Sequence, residues 1–396
     1  MSTANLDAAD LRTVARGGLI REDVMNKIWD ISKIPLPFTD MIGTDSSTHP
    51  YKEWTTDELA VPDITNARVD GADAGTNNTA TGLRVGNHHQ ISDKVVRVSF
   101  RADASNTIGR AKELSYQLSR RQQELRRDVE AISLLNQASV ADDGSATPGK
   151  AGGLPSWIKT NVQLAGTQAV GGFATGTGLT VAFTRGSAAI GLTETKVRSA
   201  AQQVYSQGGE ASIFMSTPDV IQAFSSYLFT SSARVATLMS DIEGSAAKAT
   251  AMGSVNVFVT DFGTLKFVPN RLQPQFNIGA AVTAGSFVVG NAYTITSVGT
   301  TNFVAVGAAS NTVGLKFVAT GVGAGTGTAN LLASDVFMLD PSYLSISFLQ
   351  GYRTEELAKT GSANNRHMLV DWTLCVGNEK AQAMINDVNS AVAVVA

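Results

Sequence analysis

One cysteine in 396 residues, Cys375, excludes an intrachain disulfide and any zinc site built from several thiolates. Charge is also scarce: Asp, Glu, Lys and Arg make up 16% of the chain, where about a quarter is usual. A formal net charge of −3 argues against holding nucleic acid by bulk charge, though a local basic face stays open. No run of eighteen apolar residues exists, so no membrane-spanning helix is expected. The polar opening MSTANLDAAD predicts no secretory leader, and synthesis in a reducing cytoplasm is the expectation. Histidines number four, His49, His88, His89 and His367; His88 and His89 are adjacent on a predicted strand and point to opposite faces. HExxH, the Gly-x-Ser-x-Gly elbow and a spaced acidic calcium loop are all missing. Gly144–Lys150 has the outline of a phosphate loop, but Ala151 supplies no hydroxyl for Mg²⁺. Asp142 and Asp143 precede it, and no amphipathic helix opens after it. The glycine runs at 171–178 and 321–327 miss the dinucleotide spacing and read as turns. Cys375, in an apolar strand context, reads as a small buried hydrophobe. No catalytic set, cofactor or metal is expected, and an enzyme is disfavoured.

What the chain does have is length and a hydrophobic fraction of 43%, enough for a large core and more than one domain. The strongest periodic signal runs from Asn106 to Gln137. Ile108, Ala111, Leu114, Leu118, Leu125, Val129, Ile132 and Leu135 recur at helical spacing on one stripe. Arg110, Lys112, Glu113, Arg120, Arg121, Glu124, Arg126, Arg127, Asp128 and Glu130 cover the rest. Some thirty helical residues make a rod about 45 Å long.

Around that rod the chain changes texture. Residues 1–45 read as an arm: Leu19–Ser32 forms a short helix, and Pro35 and Pro37 then force extended backbone. Residues 46–105 read as a long hairpin, with Tyr51, Trp54, Leu59 and Val61 outbound and Val96, Val98 and Phe100 on one face of the return. Residues 139–191 are charge-poor loops and short strands. Residues 192–272 alternate helix and strand: a helix at Thr193–Gln207 closed by Gly208 and Gly209, and a strand at Ile213–Met215. A second helix follows, capped by Ser216 or Thr217 with Pro218 in its first turn, and a hairpin centres on Asp261–Gly263. Residues 275–334 hold Lys316 as their only charge and read as a small all-β insert. Leu344–Phe348 and Met368–Val376 are strands around a polar turn at Thr360–Arg366, and Glu379–Val388 is a final helix.

This order, together with ELSYQLSRRQQELRRDVEAISL (113–134), FMSTPDVIQAF (214–224), VFMLDPSYLSI (336–346) and the stretch 355–385, resembles the major capsid proteins of tailed bacteriophages with the Hong Kong 97 type of fold. The insert is similar to a β module of phage virion proteins. The resemblance implies an α+β chain with an N-terminal arm (1–45), an extended E-loop (46–105) and a peripheral domain (106–191) carrying a spine helix at 106–140. It further implies an axial domain (192–274), the inserted β domain (275–334), return strands of the peripheral domain (335–376) and a C-terminal axial helix and tail (377–396). The implied function is self-assembly into hexamers, pentamers and an icosahedral head around double-stranded DNA held without sequence-specific contacts. Scaffolding, portal and decoration proteins are the implied further partners, with no membrane. Tyr51, Lys52, Trp54, Arg97, Arg101, Arg120, Arg121, Arg126, Arg127, Arg353 and Arg366 are the expected subunit-interface residues. Two alternatives stand beside this one: an encapsulin-like compartment shell, separated by what the particles contain, and a phage adhesin or tail protein, suggested by the insert.

Overall fold

The computed structural model describes residues 35–73, 75, 81–105, 107–230, 256–359 and 361–389. The expected helix at Leu19–Ser32 lies outside them. By contact the chain divides into two units: Lys94–Glu124 with Thr354–Met368, and Pro35–Asp93 with Leu125–Arg353 and the chain from Leu369.

The described part of the arm is built into its own molecule. A single helical turn forms where Asp40 N–H donates to Leu36 C=O and Ile42 N–H to Phe38 C=O, and Leu36, Phe38 and Ile42 are buried. Strand β1 (Gly43–Ser46) follows, in parallel register with Ser345–Phe348.

The expected hairpin is shorter than 46–105. Strands β2 (Tyr51–Thr56) and β3 (Leu83–His88) pair antiparallel, from Tyr51 opposite His88 to Thr56 opposite Leu83. β4 (Gln90–Ser99) belongs to a different sheet. The alternation of Val96 and Val98 is therefore real and both are buried, but it seals a sheet core rather than a hairpin face. Phe100 leaves the strand because Ser99 caps a short helix, α1 (Phe100–Ala104), accepting from Ala102 N–H.

The long helix, α2, spans Glu113–Ser133, not 106–140. At its start Thr107 and Arg110 form a tight bridge around Gly109, whose φ of +76° suits glycine, and Ile108 points to solvent. Asp103 then accepts Leu114 N–H at the helix entrance. At its end Leu135 N–H donates to Ile132 C=O, three residues back, and the chain of Gly153 passes close to the Leu135 carbonyl. A Cβ at Gly153 would lie 2.0 Å from the Leu135 oxygen.

Helix α3 (Leu154–Trp157) and strands β5 (Val162–Gln163), β6 (Gly172–Ala174) and β7 (Leu179–Val181) fill the charge-poor stretch. The α/β region follows its sequence pattern closely. α4 (Glu194–Ser206) has Thr193 accepting from Lys196 N–H and ends before Gly208 at φ +88°. Its Val197, Ala200, Ala201 and Val204 are buried. β8 (Ile213–Ser216) leads to α5 (Pro218–Thr230), β9 (Val257–Thr260) and β10 (Gly263–Pro269).

The stretch 275–334 is not joined at its far end by a linker. β11 (Phe276–Thr283), β12 (Ala292–Ser297) and β13 (Lys316–Val318) are followed by β14 (Thr328–Leu339), one strand that runs on into the main core. The first half of β14 pairs with β11 and β12, its second half with β8. Aromatic side chains of Phe287, Tyr293, Phe303 and Phe317 make a separate core under the first half. DVFML (335–339) thus lies in the nine-stranded sheet and not among the return strands.

β15 (Leu344–Glu356) and β16 (Ala363–Val376) run longer than expected. With β1 and β4 they form a four-stranded sheet in the order β1-β15-β16-β4. The expected final helix is a strand. Only Glu379–Ala381 makes a 3-10 turn, and β17 (Ala383–Val388) pairs with β14 and β5. Ala381, Met384, Ile385 and Val388 satisfy helical spacing, yet every residue of β17 is buried, which a two-sided core strand also satisfies.

Candidate assembly surfaces

The hairpin is fastened to its own subunit at the root and free beyond it. Tyr51 Oη donates to Gly178 C=O at 2.8 Å, and Trp54 Nε1 to Val376 C=O at 3.0 Å. The Trp54 ring packs 5.3 Å from Trp157, which stacks on Phe173. Lys52 pairs with Asp45 at 2.8 Å, and Glu58 with Lys380 at 2.6 Å. Three residues expected at a subunit interface, Tyr51, Lys52 and Trp54, therefore hold the hairpin root against the same chain.

Past Glu58 the chain carries four large apolar side chains in water. Leu59 is 99% exposed, Val61 89%, Ile64 97% and Val69 80%. Around them stand Asp57, Glu58, Asp63, Asp70 and Asp73 against a single Arg68. Single exposed apolar residues are ordinary; four within residues 59–69 make an exposed apolar stretch.

A second surface has the opposite charge. The unit of Lys94–Glu124 and Thr354–Met368 holds Lys94, Arg97, Arg101, Arg110, Lys112, Arg120, Arg121, Lys359 and Arg366 against Asp103, Glu113, Glu124, Glu355 and Glu356. Val95, Phe100 and Ile108 are exposed within it. Arg97, Arg101 and Arg120 reach solvent, while Arg121 pairs with Glu124 at 2.5 Å and Arg366 with Glu356 at 3.0 Å. Arg110 and Arg120 both lie over the Tyr116 ring, at 4.5 and 5.9 Å. In the other unit Arg126 sits 5.3 Å from the Tyr352 ring, whose hydroxyl burial pushes up to about 12. Arg127 is half-buried and Arg353 exposed.

The interior holds groups that sequence pattern does not reveal. Arg185 pairs with Asp335 at 2.8 Å and with Asp387 at 2.9 Å. Its guanidinium also lies 3.5 Å from the centre of the Phe276 ring. Burial raises the Asp387 carboxyl above its usual range, and Gly186 N–H and Arg185 pull it back down. The cluster stands where β14 slips register between Ser334 and Val336, opposite Asp387 in a left-handed conformation at φ +51°. The only hint in the sequence is that Asp335 and Asp387 interrupt apolar runs.

The phosphate-loop look-alike has several of its amides already engaged. Asp142 already accepts Gly144 N–H, and Asp143 accepts those of Ser145 and Thr147. Among the described residues no group of three or more His, Cys, Asp and Glu is placed to hold a metal ion. Burial drives the Cys375 thiol up to about 12. Folded protein should therefore leave Cys375 unmodified by iodoacetamide at pH 8, and reaction should appear only in denaturant; rapid native labelling, read by intact mass, would contradict its burial.

Comparison with known proteins gives these surfaces their setting. The model of the SU10 major capsid protein family matches residues 3–389. The chain belongs to that family. The major capsid protein of Escherichia phage Phieco32 is 39% identical over 113 residues, a match spanning 28% of this chain and 32% of that protein. Among solved structures, the capsid of a native GTA particle superposes with a TM-score of 0.52 at 11% identity, covering 98% of this chain and 100% of that one. The capsid of Cyanophage P-SCSP1u gives 0.50 at 13%, covering 97% and 99%. At such identities the likeness speaks for fold, and the fold of this SU10-family chain is the Hong Kong 97 type.

Proposed function

We propose that this chain is the shell-building subunit of a tailed-phage head, a structural and not a catalytic protein. Copies assemble through hexamers and pentamers into an icosahedral shell around double-stranded DNA, which is held without base-specific contacts. Scaffolding, portal and decoration proteins are its further partners, and assembly takes place in the host cytoplasm. The observation that carries this reading is the projecting loop with Leu59, Val61, Ile64 and Val69 in water. Its acidic and apolar composition complements the basic unit that bears Val95, Arg97, Phe100, Arg101 and Ile108. A surface of one copy thus supplies what the loop of another lacks. Obligate assemblies of this kind bury on the order of 2,000 Å² or more per interface. Electron microscopy of purified protein across a range of ionic strength and concentration should show capsomers or shells; a monodisperse monomer under every condition would refute it.

The stretch 275–334 is proposed to decorate the shell, because its ring-lined core is self-contained. Thr283 and Thr328 are direct cross-strand partners, so 284–327 can be replaced by an Asn-Gly turn without shifting β14. The shortened chain should still form shells of the same diameter. Loss of all assembly with the fold intact would assign the insert to the shell wall itself.

A further inference from the structure

His89 is the single residue between β3 and β4, at the corner where the chain leaves the hairpin for another sheet. Pro50 C=O accepts two hydrogen bonds from it, one from the backbone N–H at 2.9 Å and one from ring Nδ1 at 3.0 Å. A carbonyl can only accept, so Nδ1 carries the ring hydrogen. In the neutral ring Nε2 is then a bare lone pair. Burial lowers the proton affinity of this imidazole, against the pull of Pro50 and Asp371, so the ring is neutral at pH 8.

β16 runs beside the corner. Asn87 Nδ2 donates to Leu374 C=O at 2.8 Å, and Thr373 Oγ1 to His88 C=O at 2.8 Å. Asp371 lies two positions from Thr373 along the strand and so on the same face. Its carboxyl and the His89 ring act on each other electrostatically. Both residues are only 7% exposed, yet His89 Nε2 and Asp371 Oδ1 are each buried without a hydrogen-bond partner.

Both atoms are acceptors, and what they lack is a donor. Neither reaches the other, which rules out a proton shared directly between them. Among the described residues no third His, Cys, Asp or Glu joins them, so the ligand set of a metal ion is incomplete. Water carries two hydrogens, one for each lone pair, and buried water characteristically sits where polar groups are otherwise unsatisfied.

We propose that His89 Nε2 and Asp371 Oδ1 form a binding site for one internal water, which donates a hydrogen to each and fastens the hairpin corner to β16. The hairpin root is then held from both of its strands: from β2 by Trp54 Nε1 on Val376 C=O, and after β3 by this bridge.

The unassembled full chain at pH 8 supplies the test. Long-range proton–nitrogen correlation on protein labelled with ¹⁵N-histidine, assigned by the signals lost in His89→Asn, should show His89 protonated at Nδ1 and bare at Nε2. A nuclear Overhauser cross-peak should link its Hε1 to a long-lived water. The opposite tautomer, or no such cross-peak, would overturn the site, and both readings come from the wild-type chain whatever the variants do. Unfolding constants add a second measure. His89→Asn keeps a donor for Pro50 but removes the Nε2 lone pair, and Asp371→Leu removes the carboxyl. Each alone leaves the other acceptor and the water short of a partner. The double variant should therefore unfold less readily than the product of the two single effects, by about fivefold. Strictly multiplicative effects would count against the bridge. Dialysis against EDTA should leave the wild-type midpoint unchanged; a fall would put a metal ion in place of the water.

Discussion

Replacing Arg185 with Met should lower the stability of the folded chain by about 3–5 kcal/mol, the cost typical of leaving buried charges without their partner. Met keeps most of the volume against Phe276 and Phe183, so the loss isolates the charge. The side chains of Asp335 and Asp387 are 1% and 0% exposed and have no water to turn to. The effect should shrink in acid and grow as pH rises. Asp387 already binds its proton more tightly than usual, and without Arg185 it would keep that proton to still higher pH. Adding Asp387→Asn to the Arg185→Met chain should recover part of the loss. Denaturant midpoints at pH 5 and pH 8 check both statements; a loss under about 1 kcal/mol at pH 8 would mean that the cluster is dispensable. The position explains the size. The two carboxylates sit where β14 changes partners, so a repulsion there opens the seam between the two halves of the nine-stranded sheet.

The double substitution Leu59→Asp with Ile64→Asp should abolish shells while leaving the subunit folded. Both side chains are almost fully in water in the single chain, so folding should change by no more than about 0.5 kcal/mol. In an assembly the same two side chains would be buried, and two carboxylates placed in an apolar seat cost several kcal/mol per copy. Multiplied around a closed shell, that difference separates assembly from none. Light scattering and electron microscopy against an unchanged denaturation midpoint provide the check. Shells of normal yield would remove the loop from the interface.

These two expectations come from opposite kinds of residue, and they show how far the sequence could be read. The helix–strand alternation from Thr193 to Phe267 was legible because caps, periodic apolar positions and glycine stops all agree there. α2 was legible in kind but not in extent. Its N-terminal flank carries the exposed Ile108 and its C-terminal flank the buried Leu134 and half-buried Leu135, and such residues continue a helical stripe by coincidence. β17 was misread because a strand buried on both faces has no polar gap to reveal its period of two. The return limb of the hairpin was misread because alternation identifies a strand but says nothing about its partner; β4 joined β16.

The candidate surfaces divide in the same way. Tyr51, Lys52 and Trp54, which the resemblance implies at a subunit interface, each have a partner within their own chain. In the sequence Leu59 and Val61 fit the outbound strand of the expected hairpin. Their exposure, and that of Ile64 and Val69, became visible only when the ladder was seen to stop at Thr56.

By itself the sequence determined the local periods, the caps and turns, the charge-poor insert and the order of segments that marks the capsid fold, since each depends on neighbours within a few positions along the chain. Tertiary structure alone decided which strands pair, where β14 changes partners, and that Glu130, Asp335 and Asp387 are shut away from water. Those depend on residues dozens to hundreds of positions apart, and the free energy of a buried charge is set by what surrounds it in space.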